Sequence, residues 1–236
     1  MGVCAAFGVL AIVTTIRITT LYDDIDDLAE HWSSPQGEPG GLVYVALGDS
    51  AAQGLGSSRP ETSYVGLIAQ QLRDETGLPV QVFNLSKSGA RARDVVETQL
   101  DALRALPVKP DVVTVCIGGN DVRGFDRTQF AKDSADLAAA LPPGAYVSDV
   151  PYFTLPWWTA ESNEASEVLA NALRAKDTKV VPLHEVMRSQ GRQALFTQHA
   201  ADLFHPNDRG YRVWAGAFWS RIAPDVPSLV ARSRAS

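Results

Sequence analysis

VALGDSAAQG, residues 45–54, is an apolar run that halts at Gly48-Asp49-Ser50 and reopens into small residues. Taken from Leu42 to Asp49, the run is apolar and partly β-branched at nearly every position, the pattern of a strand covered on both faces. A serine between an aspartate and two alanines, where a strand stops, has two readings. It caps the next helix, or it is held out to do chemistry. The rest of the chain decides between them.

Outward from this strand the same unit repeats. "PVQVFNLS" (79–86), "DVVTVCIGG" (111–119), "AYVSDVP" (145–151) and "TKVVPLHEV" (178–186) read as strands. Helical spacing predicts helices over 63–77, 92–106, 128–141, 161–176 and 206–222, stopped in turn by Gly77, Pro107 and Pro142-Pro143. Alternating strand and helix predicts an α/β fold: three layers around a central parallel sheet of about five strands. In such sheets ligands bind at the carboxyl ends of the strands. Those ends carry Ser50, then Asn84 with Ser88-Gly89, then Gly118-Gly119-Asn120-Asp121. Before the last helix stands "DLFHPND", with Asp202 and His205.

Bulk composition narrows the function. The chain has 236 residues, 45% hydrophobic and 20% charged, enough for one sizeable core, and a net charge of −6. No basic block stands out, so no nucleic-acid partner is expected. Two cysteines, Cys4 and Cys116, argue against a disulfide framework or a cysteine metal site. "GVCAAFGVLAIVTTI" (2–16) is uncharged up to Arg17. It is short for a span of about 20 residues. It is long for a signal core and lacks a basic flank. The preferred reading is a weak membrane anchor or uncleaved signal, with membrane association through residues 2–20. The protein is then membrane-anchored or secreted, and otherwise cytoplasmic. A leader whose start lies upstream and a helix packed on the domain are the rivals. Residues 20–33 are acidic with a helical pattern, and "SSPQGEPGG" (33–41) has a linker's composition. The expected division is 1–41 as N-terminal segment and 42–236 as the domain.

A serine hydroxyl needs a base within hydrogen-bond reach, and the base needs an orienting partner. His205 can take the proton. Asp202, three residues earlier, can reach the other ring nitrogen. Acyl transfer also needs oxyanion donors. Gly89 lets a backbone N–H approach closely, Asn120 carries a side-chain amide, and the Ser50 N–H lies at a helix start.

This set resembles the SGNH, or GDSL-type, hydrolase family, named for Ser, Gly, Asn and His. The matching residues are Ser50 in "LGDSAAQG", Gly89 in "NLSKSGARARDV", Asn120 in "IGGND" and His205 in "DLFHPNDRGY". The resemblance runs from about 42 to 222. It implies a flavodoxin-like sandwich and hydrolysis of carboxylic esters through an acyl-enzyme, with no metal and no cofactor. Ser50 is then the nucleophile, His205 the base and Asp202 its partner, with Ser50, Gly89 and Asn120 as oxyanion donors. The residue after the serine is Ala51 where the family often has Leu. Gly-x-Ser-x-Gly does not fit at Ser50, because position 52 is Ala, which disfavours the α/β-hydrolase elbow.

The substrate is expected to be a small-molecule or lipid ester. "VPYFTLPWW" (150–158) reads as a loop at the site's edge, where Trp157 and Trp158 would line a pocket. Asp49 and Asp121 read as structural. The alternatives are an acyltransferase to a sugar or lipid hydroxyl, and a non-catalytic binding module on the same fold.

Overall fold

A computed structural model describes residues 21–233. The apolar stretch 2–16 lies outside the described residues. The chain enters through helix α1 (21–31). Strand β1 (Leu42–Gly48) runs straight into the short helix α2 (Ser50–Gln53), and α3 spans Tyr64–Thr76. After β2 (Val80–Asn84) comes a helix, α4, that begins over Ala92–Asp94. It widens into a π turn over Val95–Gln99 and closes over Leu100–Arg104. Then follow β3 (Val112–Cys116), α5 (Arg127–Ala140), β4 (Tyr146–Ser148), α6 (Pro156–Arg174) and β5 (Lys179–Val181). Helices α7 (Leu183–Ser189), α8 (Ala194–Thr197), α9 (Asp208–Ile222) and α10 (Val226–Ser233) complete the described chain.

All five strands are parallel, in the order β2-β1-β3-β4-β5. This is the expected α/β architecture. The strand residues alternate between two cores, as pleating requires. Tyr44 and Ala46 face one, with Ile68, Leu72, Trp214 and Phe218. Val45 and Leu47 face the other, with Val115, Leu137 and Leu169. Both faces being covered explains why β1 is apolar throughout. Tyr64 and Phe218 stack at 5.2 Å across α3 and α9.

The strand order reverses direction between β1 and β3, the switch point where a crevice opens at the carboxyl ends. Two expectations shift. The last strand, expected over 178–186, stops at Val181, because Pro182 has no N–H for the ladder and α7 begins at once. The aromatic stretch is a loop only as far as Leu155. Pro156 occupies the first helical position of α6, where its fixed φ suits the start, so Trp157 and Trp158 lie in that helix's first turn.

The segment before Leu42 is bound to the rest. Leu21 and Leu28 of α1 are buried with Leu55. Trp32 lies in the first core and gives its indole N–H to the Gln53 carbonyl at 2.9 Å. Gln36 pairs with Val82 at the sheet edge.

Candidate active site

Ser50 is the first residue of α2, and Asp49 is its cap: the Asp49 carboxylate accepts the Ala51 N–H at 2.9 Å. The serine is therefore not the capping residue. Gly48 makes the turn possible. It sits at φ +145°, and a Cβ there would stand 2.2 Å from the Cys116 carbonyl oxygen. Gln99, in the π turn of α4, grips the Gly48 peptide from both sides. It accepts the Gly48 N–H at 2.8 Å and donates to the Gly48 carbonyl at 2.7 Å.

A four-residue helix has little stability of its own. Long-range side chains hold α2 and the turn after it instead. Asn84 donates to the Ala52 carbonyl at 2.7 Å, Trp32 to Gln53 at 2.9 Å, and Tyr211 to Leu55 at 2.7 Å.

Ser50 Oγ lies 2.8 Å from His205 Nε2, and His205 Nδ1 lies 2.6 Å from Asp202 Oδ2. A proton on Nδ1 faces the carboxylate, which leaves Nε2 as acceptor for the serine hydroxyl. The other Asp202 oxygen accepts the Phe204 and His205 N–H groups, each at 3.0 Å. Leu203 makes that double contact possible. It is the single non-glycine residue at positive φ (56°) among those described. Holding a bulky residue there costs about 1–3 kcal/mol, a strain found at functional sites. Burial pushes the Asp202 carboxyl up. The His205 hydrogen bond and charge, with the two backbone N–H groups, outweigh it and leave the group below the usual carboxylate range. Asp202 is thus ionised beside His205.

The glycine loop and the Asn120 loop are tied to this centre. Gln53 of α2 accepts from both the N–H (2.9 Å) and hydroxyl (2.5 Å) of Ser88, fixing the start of the Ser88-Gly89 turn. Gly89 has φ +80° with open space around a would-be Cβ, so backbone conformation, not room, demands glycine. Asn120 donates one amide hydrogen to the Ala90 carbonyl at 3.0 Å. The carbonyl it binds belongs to the residue next to Gly89.

Buried carboxyls ring the site. Asp49 is pushed up to about 6 by burial, partly countered by the Ala51 N–H and by His205. Asp121, which accepts the Ala92 N–H, is likewise raised by burial to about 6. Both act as backbone-fixing groups, as expected. Among the described residues no three His, Cys, Asp or Glu side chains gather as metal ligands would.

Phe153 stacks on Phe204 at 4.9 Å, and Trp158 meets Phe204 edge-on at 5.4 Å. Phe153 and Phe204, with Ser50, Gly119 and His205, surround a hollow of about 20 Å³, room for one water or methyl-sized group. Trp158 is half-buried and packs edge-on against both Phe153 and Phe204, outside the lining of that hollow. Trp157 is 63% exposed and meets Trp158 edge-on at 6.1 Å. The sequence reading missed Gln53, Gln99 and Tyr22. Tyr22, on α1, directs its hydroxyl at Asp202 Oδ2 from 3.3 Å. Gln99 had one signal: it continues the apolar helix face of Val95 and Leu103 with a polar side chain.

The family model for GDSL-like lipase/acylhydrolases matches residues 46–213. Among solved structures the chain is similar to TesA (25% identity, TM-score 0.63), over 78% of this chain and 99% of that one. A family 3 carbohydrate esterase from Clostridium thermocellum matches at 19% identity and TM-score 0.62, over 80% and 99% of the two chains. An acetyl xylan esterase from Geobacillus stearothermophilus matches at 23% and 0.58, over 77% and 94%. No curated protein sequence matches the chain.

Proposed function

Because this chain belongs to the GDSL-like lipase/acylhydrolase family and is a serine ester hydrolase, we propose that it cleaves carboxylic esters through an acyl-enzyme on Ser50. The observation that carries this reading is the unbroken line Ser50 Oγ, His205 Nε2, His205 Nδ1, Asp202 Oδ2, at 2.8 and 2.6 Å.

Ser50 Oγ attacks the ester carbonyl carbon as His205 Nε2 takes its proton. The resulting imidazolium is stabilised by ionised Asp202, which keeps its own charge. The oxyanion meets the Ser50 and Gly89 N–H groups and the second amide hydrogen of Asn120. Each donor is worth about 3–4 kcal/mol when removed from a working site. The tetrahedral intermediate collapses, the C–O bond to the alcohol breaks, and His205 returns the proton to the leaving oxygen. Water then attacks the acyl-serine with His205 again as base, which releases the carboxylic acid and restores Ser50. Phe153 and Phe204 form the apolar wall beside the acyl group, with Trp158 packed against both and Trp157 against Trp158.

The test is hydrolysis of p-nitrophenyl esters from acetyl to palmitoyl by the full chain, with Ser50→Ala as blank. The full chain is used because Trp32 and Tyr22 reach α2 and Asp202. Turnover should fall by about 10⁴-fold or more in the variant. Equal turnover in Ser50→Ala and wild type would sink the assignment.

A further inference from the structure

Most of the donors that hold Asp202 lie within three residues of it. The Phe204 and His205 N–H groups bond Oδ1 at 3.0 Å, and His205 Nδ1 bonds Oδ2 at 2.6 Å. One donor comes from the other end of the chain. The Tyr22 hydroxyl, on α1, donates to Oδ2 at 3.3 Å across 180 residues. The same ring meets His205 edge-on at 6.2 Å. Among the described residues, Tyr22 is the donor to this carboxylate that lies outside the acid's own loop.

That loop needs an outside hold. Residues 200–204 form turns and bends, with no helix or strand, and all are half-buried. The loop folds back on itself: the Leu203 N–H bonds the Ala200 carbonyl at 3.1 Å, and the Ala200 N–H bonds the His205 carbonyl at 2.8 Å. Leu203, beside Asp202, stands at φ 56°, a conformation that persists only where the surroundings enforce it.

Helix α1 grips this loop at two points. Leu21 and Leu28 are buried with Leu55, and Ala200 packs against that cluster. Leu55 closes the turn after α2, and its N–H bonds the Ser50 carbonyl at 2.9 Å. The apolar face of α1 thus bridges the segment that carries the serine and the loop that carries the acid. Tyr22, next to Leu21, is the second point. Its neighbours Leu21 and Leu28 do the packing, whereas Tyr22 is 43% exposed and reaches Asp202 with its polar tip. A hydroxyl so placed keeps Oδ2 aimed at His205 Nδ1, and reacting groups misplaced by about 1 Å can lose 10²-fold in rate.

We propose that Tyr22 is a positioning residue of the esterase, which acts through Asp202 to hold the His205 imidazole in line with Ser50. This rests on the ester-hydrolase reading above and deepens it. The catalytic unit then includes α1 (21–31) and does not start at residue 42.

The experiment uses the full chain and Tyr22→Phe, which keeps the ring and removes the donor. On p-nitrophenyl acetate, kcat should fall about three- to tenfold with KM unchanged. Asp202→Ala retains measurable turnover from the oxyanion hole and binding. Adding Tyr22→Phe to that variant should change nothing further, because the group it acts through is gone. No loss in the single variant, a rise in KM alone, or the same fold-loss in both backgrounds overturns the proposal. The last result would mark a scaffold role. A second arm reads the His205 Nδ1 proton by NMR in Ser50→Ala, where its low-field signal is identified by its loss in Asp202→Ala. With Tyr22→Phe that signal should broaden and move upfield, as the carboxylate gains freedom to turn. A signal left unchanged or moved downfield overturns the proposal. This arm needs no turnover, so it judges Tyr22 even if the wild type shows no Ser50-dependent hydrolysis, a result that would count against the esterase reading alone.

Discussion

Asp49→Asn should make this protein more stable at neutral pH. Burial raises the Asp49 carboxyl to about 6 from an ordinary 3.8. Between those values the folded chain holds a proton that the unfolded chain has released. Stability from this group therefore falls as pH rises from about 4 to about 6, and the deficit persists above. A gap of about two pH units is worth on the order of 3 kcal/mol. Asparagine carries no charge to bury, and its carbonyl oxygen can still accept the Ala51 N–H that caps α2. Urea unfolding from pH 4 to 8 is the assay. The two proteins should coincide at pH 4 and diverge to that order by pH 8, with equal m-values. The corresponding rise in Tm at pH 8 is about 6–12 °C. Ester turnover at pH 8 reports that the cap geometry survived. A variant equal to or less stable than wild type at pH 8, with turnover intact, would refute the buried-charge reasoning.

Two further substitutions probe the support around Ser50. Asp202→Asn should lower kcat by about 10⁴-fold with little change in KM, because the amide cannot fix the His205 tautomer or balance its charge; steady-state kinetics decide it, and a loss under tenfold would remove Asp202 from the mechanism. Gln99→Leu keeps the volume but orphans the buried Gly48 N–H, while the Gly48 carbonyl retains Lys87 N–H at 3.2 Å. That costs about 1–3 kcal/mol, and kcat should fall by up to about 10²-fold as the turn holding Ser50 relaxes; unchanged calorimetry and kinetics would mean the clamp is idle.

The fold was legible because β1 and β3 are apolar on both faces, a pattern only a doubly covered strand keeps. Ser50 and Asn120 stood out because special residues gather where strands end, and His205 because it stands three residues after Asp202, just before the long last helix of the expected fold. β5 was overextended, since Val-Val-Pro-Leu keeps the same hydrophobicity across the break at Pro182. Trp157 and Trp158 were read as part of the loop that follows the fourth strand, whereas Pro156, at a first helical position, starts α6 there. The supports were hidden for another reason. Gln53 meets Ser88 and Gln99 meets Gly48 across 35 and 51 residues, and Trp32 reaches Gln53 across 21. Such pairings leave no periodic trace. Tyr22 lies in a segment whose acidic composition gave no hint of Asp202.

The distance along the chain between Ser50 and His205, 155 residues, has a consequence for biogenesis. The carbonyl of Leu55 waits for Tyr211, 156 residues later. At about 5–20 residues per second on the ribosome, the serine emerges well before its base. A nascent or truncated chain ending before His205 carries the nucleophile without the means to activate it. Esterase activity in this protein is therefore a late event of synthesis, and its appearance can serve as a clock for completed folding.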